Sequence, residues 1–97
     1  KNESSITGVV EEVYNNSILI SIQTDAYPYG AYCDVSLDAE NKDDMVDFNI
    51  GDEVIVYYDG NIAESYPLQI NTVYAISLKD PANWSKNKRF PVLVLVA

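Results

Sequence analysis

Short runs of alternating apolar and polar residues dominate this chain and predict β-strands. Residues 18–23 are the clearest example, because isoleucine stands at every second position. Residues 32–38 and 53–58 alternate in the same way and are rich in Val, Ile and Tyr, which favour pleated structure. We therefore predict three strands that each turn one face to a core. The predicted inward side chains are Ile18, Ile20, Ile22, Cys33, Val35, Leu37, Val54, Val56 and Tyr58.

Two further strands are predicted at either side of this set. Residues 6–14 form the first, and Gly8 inside it predicts a bulge or sharp bend. The Asn-Asn-Ser turn at 15–17 joins it to the next strand, since Asn tolerates positive φ. The last strand covers residues 70–78, with Tyr74 assigned to the core.

The intervening segments complete a recognisable order. Residues 24–31 contain Pro and Gly and predict a loop. Residues 39–49 are the helical candidate, with Met45 and Phe48 on a short apolar stripe that must rest on the sheet. The resulting order, β-β-β-α-β-β, predicts an all-β fold with one short helix, namely an OB-like five-stranded barrel.

The C-terminal part of the chain has a different character. We divide the chain into a barrel domain over residues 1–79 and a C-terminal extension over residues 80–97. Residues 91–97 are apolar on both faces, which predicts an extra strand. Two interpretations stay open: it closes this chain's own sheet, or it pairs with a partner's sheet edge and forms a homodimer. Truncation after Asp80 is the natural test.

Charge excludes one class of ligand. The chain has 97 residues, enough for one small domain, and a formal net charge of −9. Residues 1–78 carry fourteen acidic side chains against two lysines, whereas residues 79–97 carry four basic side chains against one acidic. A polyanion is repelled by such a body, so we predict no nucleic-acid partner. No segment is apolar over a length that spans a bilayer.

Several short motifs together suggest a family. They are Ile-Thr-Gly-Val-Val at 6–10, Gly-Asp-Glu-Val at 51–54, Tyr-Tyr-Asp-Gly at 57–60, Ile-Ala-Glu-Ser-Tyr-Pro at 62–67 and Val-Tyr-Ala-Ile at 73–76. Over residues 5–79 the chain resembles the YobA-like domains, small OB-like domains of exported proteins and lipoproteins of Gram-positive bacteria. The resemblance implies an extracellular or cell-envelope location, with a lipid tether in the full-length protein. It carries no activity and no functional residues.

The chemistry-bearing residues argue against catalysis. The chain has no histidine and a single cysteine, Cys33, so neither a Ser-His-Asp nor a Cys-His unit can be assembled. A crowded acidic stretch lacks the spacing of a calcium-binding EF-hand loop, so we interpret it as a solvated face. It comprises Asp38, Glu40, Asp43, Asp44 and Asp47. We predict no enzyme, no cofactor and no metal site.

Tyrosines are the candidate binding residues. Tyr27, Tyr29 and Tyr32 cluster around a Pro/Gly loop, while Tyr57 and Tyr66 lie near a later turn. Their rings offer stacking surfaces for a protein, peptide or glycan partner. The alternative is that the rings cover a small core and their hydroxyls reach water. We predict an exported binding or accessory module; the competing hypothesis is a structural module that assembles through its C-terminal strand.

Overall fold

Alternating patterns do form the strands of this protein. The computed structural model describes residues 3–38 and 47–82. The strands are β1 (Ser4–Val13), β2 (Ser17–Ile22), β3 (Ala31–Ser36), β4 (Glu53–Tyr58), β5 (Leu68–Ile70) and β6 (Val73–Asp80). The all-β class is therefore confirmed.

Two predicted elements are not confirmed. Residues 39–46 of the predicted helix lie outside the described residues, and residues 47–49 are not helical. The predicted strand at 91–97 also lies outside the described residues.

The six strands form one mixed sheet in the order β5-β3-β2-β1-β4-β6. Neighbouring strands are antiparallel except β3 and β5, which run parallel with Cys33 opposite Leu68. Within residues 3–38 and 47–82 the edge strands β5 and β6 do not pair with each other, so this sheet is not closed and the predicted barrel is not confirmed.

The predicted last strand, residues 70–78, is in fact two strands. Asn71 and Thr72, both exposed, separate β5 from β6, and the pairing begins earlier and ends later than predicted. β5 pairs with β3 and β6 pairs with β4, so the break lets one stretch of chain form both edges of the sheet.

The core lies on one face of the sheet and matches the predicted alternation on the central strands. Side chains at every second position of β2, β3 and β4 are buried, and each large aliphatic one contributes about 1.5–3 kcal/mol. The side chains confirmed in the core are Ile18, Ile20, Ile22, Cys33, Val35, Val54, Val56 and Tyr58. Leu37 is partly buried against them.

The prediction that Tyr74 lies in the core is wrong, because its side chain is only half-buried. The register between β4 and β6 shifts here: Tyr58 faces Val73 and Tyr57 faces Ala75, which leaves Tyr74 as the extra residue of a bulge. A bulge breaks the period of two, so Val73 and Ile76 are buried instead.

The bulge of β1 does not fall at Gly8. The irregularity in β1 falls between Val10 and Glu12, opposite β2, whereas Gly8 pairs regularly with Val54. A Cβ at Gly8 would lie 2.8 Å from the carbonyl oxygen of Ser21. Glycine is needed here because the backbones of β1 and β2 lie too close together at this point to leave room for a side chain.

Asp52 fastens the loop before β4 to the end of β6. Its Oδ2 accepts a hydrogen bond from the backbone N–H of Asn49, and its Oδ1 accepts one from Ala82, both at 2.8 Å. Gly51 lies against Ala82, because a Cβ on Gly51 would be 3.0 Å from the Ala82 Cβ. The chain is therefore held to the sheet as far as Ala82.

Candidate ligand-binding groove

A groove of about 500 Å³ lies between the loop that precedes β3 and the loop that precedes β5. Four of the five predicted binding residues line it: Tyr27, Tyr29, Tyr32 and Tyr66. The fifth, Tyr57, does not line the groove. It lies in β4, half-buried, opposite Ser5 and Ala75.

The parallel pairing of β3 and β5 brings these tyrosines together. Tyr32 immediately precedes Cys33, and Tyr66 comes two residues before Leu68, the partner of Cys33. The two loops therefore arrive at the same end of the sheet. A parallel contact between distant strands leaves no local sequence pattern, which is why Tyr66 is grouped in the sequence with the later turn instead.

Hydrogen bonds order the first wall of the groove. Thr24 and Tyr27 exchange backbone bonds, with Tyr27 N–H to Thr24 O at 3.0 Å, and the Gly30 N–H donates to the Tyr27 carbonyl at 3.0 Å. The Gln23 side-chain amide donates to the Pro28 carbonyl at 2.8 Å. Gly30 has a φ of +92°, a conformation open to glycine without strain. The loop is thus tied at several points.

The second wall is ordered in the same way. Ala63 and Gln69 form an antiparallel bridge with two backbone hydrogen bonds of 2.8 and 3.0 Å. The Ser65 hydroxyl donates to the Pro67 carbonyl at 2.7 Å, and the Tyr66–Pro67 peptide bond is cis. Both walls therefore present their side chains from hydrogen-bonded backbone.

Exposure separates the tyrosines of the groove into two kinds. Tyr29 and Tyr66 are 99% exposed and Tyr32 is 53% exposed. Tyr27 packs against the core and donates its hydroxyl to Glu64 Oε2 at 3.1 Å. That hydrogen bond, followed by burial, raises the pKa of Tyr27 above its ordinary value. The core-covering interpretation therefore fits Tyr27 but not Tyr29 or Tyr66.

The cysteine of the chain is not placed for nucleophilic chemistry. Cys33 is fully buried, and this burial, with a smaller effect from the Asp34 carboxylate, raises the pKa of its thiol to about 11. A thiolate is the reactive form, so the thiol is unreactive near neutral pH.

Within residues 3–38 and 47–82, no three His, Cys, Asp or Glu side chains are grouped to hold a metal ion. In the same ranges there is no helix of the length and hydrophobicity needed to cross a membrane. Of the acidic stretch, Asp38 and Asp47 are described, and the other three residues are not.

No protein-family model matches the chain, no curated protein matches its sequence and no solved structure matches its fold. The groove geometry is therefore the basis for assigning a function.

Proposed function

We propose that this protein is a binding module and that the tyrosine-lined groove receives its ligand. The main support for this proposal is that Tyr29 on one wall of the groove and Tyr66 on the other are both 99% exposed. Tyrosine offers a large, rigid contact surface with little side-chain entropy to lose, which suits it to recognition. Because almost none of their surface is covered by the protein, the rings of Tyr29 and Tyr66 are available to stack on a ligand.

The strand arrangement supports an OB-type architecture as part of this proposal. In this comparison β5 and β6 count as the two halves of one fifth strand. β1 then pairs with β4, β3 pairs in parallel with the first half, β5, and β4 pairs with the second half, β6, which is the order of pairings in an OB barrel. OB folds bind ligands across strands two and three and at the loop between strands four and five. The groove lies at these same places, an argument by analogy with the fold.

The remaining parts of the proposal concern context. A binding role without catalysis agrees with the buried, high-pKa thiol of Cys33. An exported protein of the YobA-like type, lipid-tethered at the cell envelope, remains a hypothesis that rests on the motifs of the sequence.

The groove can be tested with a panel of soluble probes. We would titrate the isotope-labelled chain with cellohexaose, chitohexaose, a proline hexapeptide and an arginine-containing hexapeptide while recording backbone amide shifts. We expect at least one probe to shift residues 27–32 and 64–68 together. If no probe perturbs these residues, or if shifts fall only elsewhere, the proposal is wrong.

Alanine variants then separate binding from stability. Because Tyr29 and Tyr66 are almost fully exposed, Tyr29→Ala and Tyr66→Ala should leave the melting temperature unchanged. Each variant should lower the affinity for the probe that binds by about tenfold, because a stacking ring is lost. Tyr14→Ala is the matched control, because Tyr14 is also an exposed tyrosine and lies outside the groove. Equal weakening by Tyr14→Ala would contradict the assignment.

A further inference from the structure

The described part of the chain has a strongly one-sided charge. Residues 3–38 and 47–82 carry twelve acidic side chains against a single lysine, Lys79. Lys79 lies in β6 and is paired with Glu53, with Nζ 3.7 Å from Oε2. Neither residue lines the groove. The described surface that surrounds the groove therefore carries a large excess of negative charge, which favours cations over anions.

Two carboxylates belong to residues next to the groove, Glu64 and Asp34, although neither is part of its lining. Glu64 is exposed next to the second wall, and the Tyr27 hydroxyl holds its Oε2. Its Oε1 has no hydrogen-bond donor among the described residues. Asp34 follows Tyr32 on the same face of β3, opposite Gln69 of β5. A positioned carboxylate next to an open aromatic ring is a combination that binds a cation on two sides.

We propose that the natural ligand of the groove is a cationic peptide, bound through arginine side chains. This inference rests on the proposed function of the same groove. A guanidinium group stacks on the Tyr29 or Tyr66 ring and forms a charge-assisted hydrogen bond with Glu64 Oε1. Arginine suits this site better than lysine, because its planar group stacks on rings and is more weakly hydrated.

Charge complementarity distinguishes this ligand from the alternatives. A neutral glycan would use the tyrosine rings but would gain nothing from the excess of acidic side chains. A polyanion would meet the unfavourable potential before it reached the rings. An arginine-containing peptide uses the rings, the Glu64 carboxylate and the overall charge together.

A pair of matched peptides tests the inference on the full chain. One hexapeptide alternates glycine with arginine, and the other has glutamine in place of arginine; both have blocked ends. We expect the arginine peptide to bind at the groove about tenfold tighter than the glutamine peptide at low salt. That advantage should shrink at about 0.5 M salt, because screening weakens attraction between exposed charges.

Charge-neutralising variants locate the preference. Glu64→Gln removes the charge but keeps an oxygen that accepts the Tyr27 hydrogen bond. The variant should therefore lower the affinity for the arginine peptide several-fold and leave the affinity for the glutamine peptide unchanged. Glu12→Gln removes one equivalent charge from β1, outside the groove, and should change neither affinity appreciably. Equal losses from the two variants would mean attraction by net charge alone and would overturn the assignment to the groove.

The possible outcomes separate the two proposals. Groove shifts with cellohexaose or chitohexaose at lower concentration than with the arginine peptide would overturn the cationic ligand and leave the binding function standing. Equal affinity for the two peptides at low salt would do the same. An absence of groove shifts with every probe would overturn both.

Discussion

At Asp52 a carboxylate is 2% exposed, and each of its oxygens accepts one backbone hydrogen bond. Hydrogen bonds to a charged group contribute about 1.5–3 kcal/mol each, and a buried donor left without its acceptor costs a similar amount. In the sequence, Gly51-Asp52 marks only the start of a strand. The partner Ala82 is thirty positions away, so no local pattern identifies this side chain as buried.

The buried thiol of Cys33 should make the stability of the fold decrease with rising pH in the alkaline range. Burial raises the pKa of its thiol from an ordinary value of 9.0 to about 11. Above pH 9 the unfolded chain loses this proton while the folded chain retains it, so the free energy of unfolding decreases with rising pH. The contribution is fully present below pH 9 and is lost as pH rises through about 11, a loss of up to about 3 kcal/mol.

Urea unfolding at about pH 8 and about pH 11 measures this effect. Tyr27 and Tyr58 also have raised pKa values and act in the same direction, so the comparison needs a variant without the thiol. Cys33→Ala should be less stable than the original chain at pH 8 and should lose less stability between the two pH values. Parallel losses in both proteins would show that the thiol does not titrate as expected.

At the scale of elements, the closeness of β1 and β2 depends on Gly8. A side chain at this position meets the Ser21 carbonyl oxygen and the Ile20 side chain at 2.8 Å, which is nearer than real Cβ atoms approach. Since one of these atoms belongs to the backbone of the neighbouring strand, relief requires the strands to move apart.

Gly8→Ala should therefore destabilise the fold by about 1–3 kcal/mol, the usual cost of overpacking a core. Ser5→Ala, on the exposed face of the same strand, is the control and should change the free energy of unfolding by about 0.5 kcal/mol or less. Chemical denaturation measures both. A Gly8→Ala protein as stable as the control would show that β1 and β2 can separate at little cost.

On the scale of the whole molecule, the hydrogen bond between Asp52 and Ala82 ties the end of β6 to the loop before β4. A boundary placed after residue 79 or 80 cuts inside this connection. Truncation after Asp80 removes Ala82, which is 2% exposed, and with it the donor to Asp52 Oδ1. Truncations intended to test assembly through residues 91–97 should therefore retain the chain to Asn83.

A chain that ends at Asp80 should accordingly be less stable than one that ends at Asn83 by about 1.5–3 kcal/mol, the contribution of one hydrogen bond to a charged group. Thermal or urea unfolding of the two truncated chains measures the difference. In an Asp52→Ala background the two truncations should be equally stable, because the acceptor is already absent. A difference that persists in that background would assign the effect to another contact of residues 81–83.

Much of this protein follows from the sequence by itself. The inward faces of β2, β3 and β4 are properties of neighbouring residues, because successive side chains of a strand point to opposite faces. The grouping of Tyr27, Tyr29 and Tyr32 is likewise local. The net negative charge, which disfavours nucleic acid, needs no structure at all.

The tertiary structure decided the rest, because it depends on contacts between residues far apart in the chain. Parallel pairing of β3 with β5 brings Tyr66 to the groove and leaves Tyr57 outside it. A bulge opposite β4 turns Tyr74 out of the core, and a break at residues 71–72 divides the last strand between both edges of the sheet. Register shifts and strand partners are set by packing across the sheet, which a pattern along one strand does not encode.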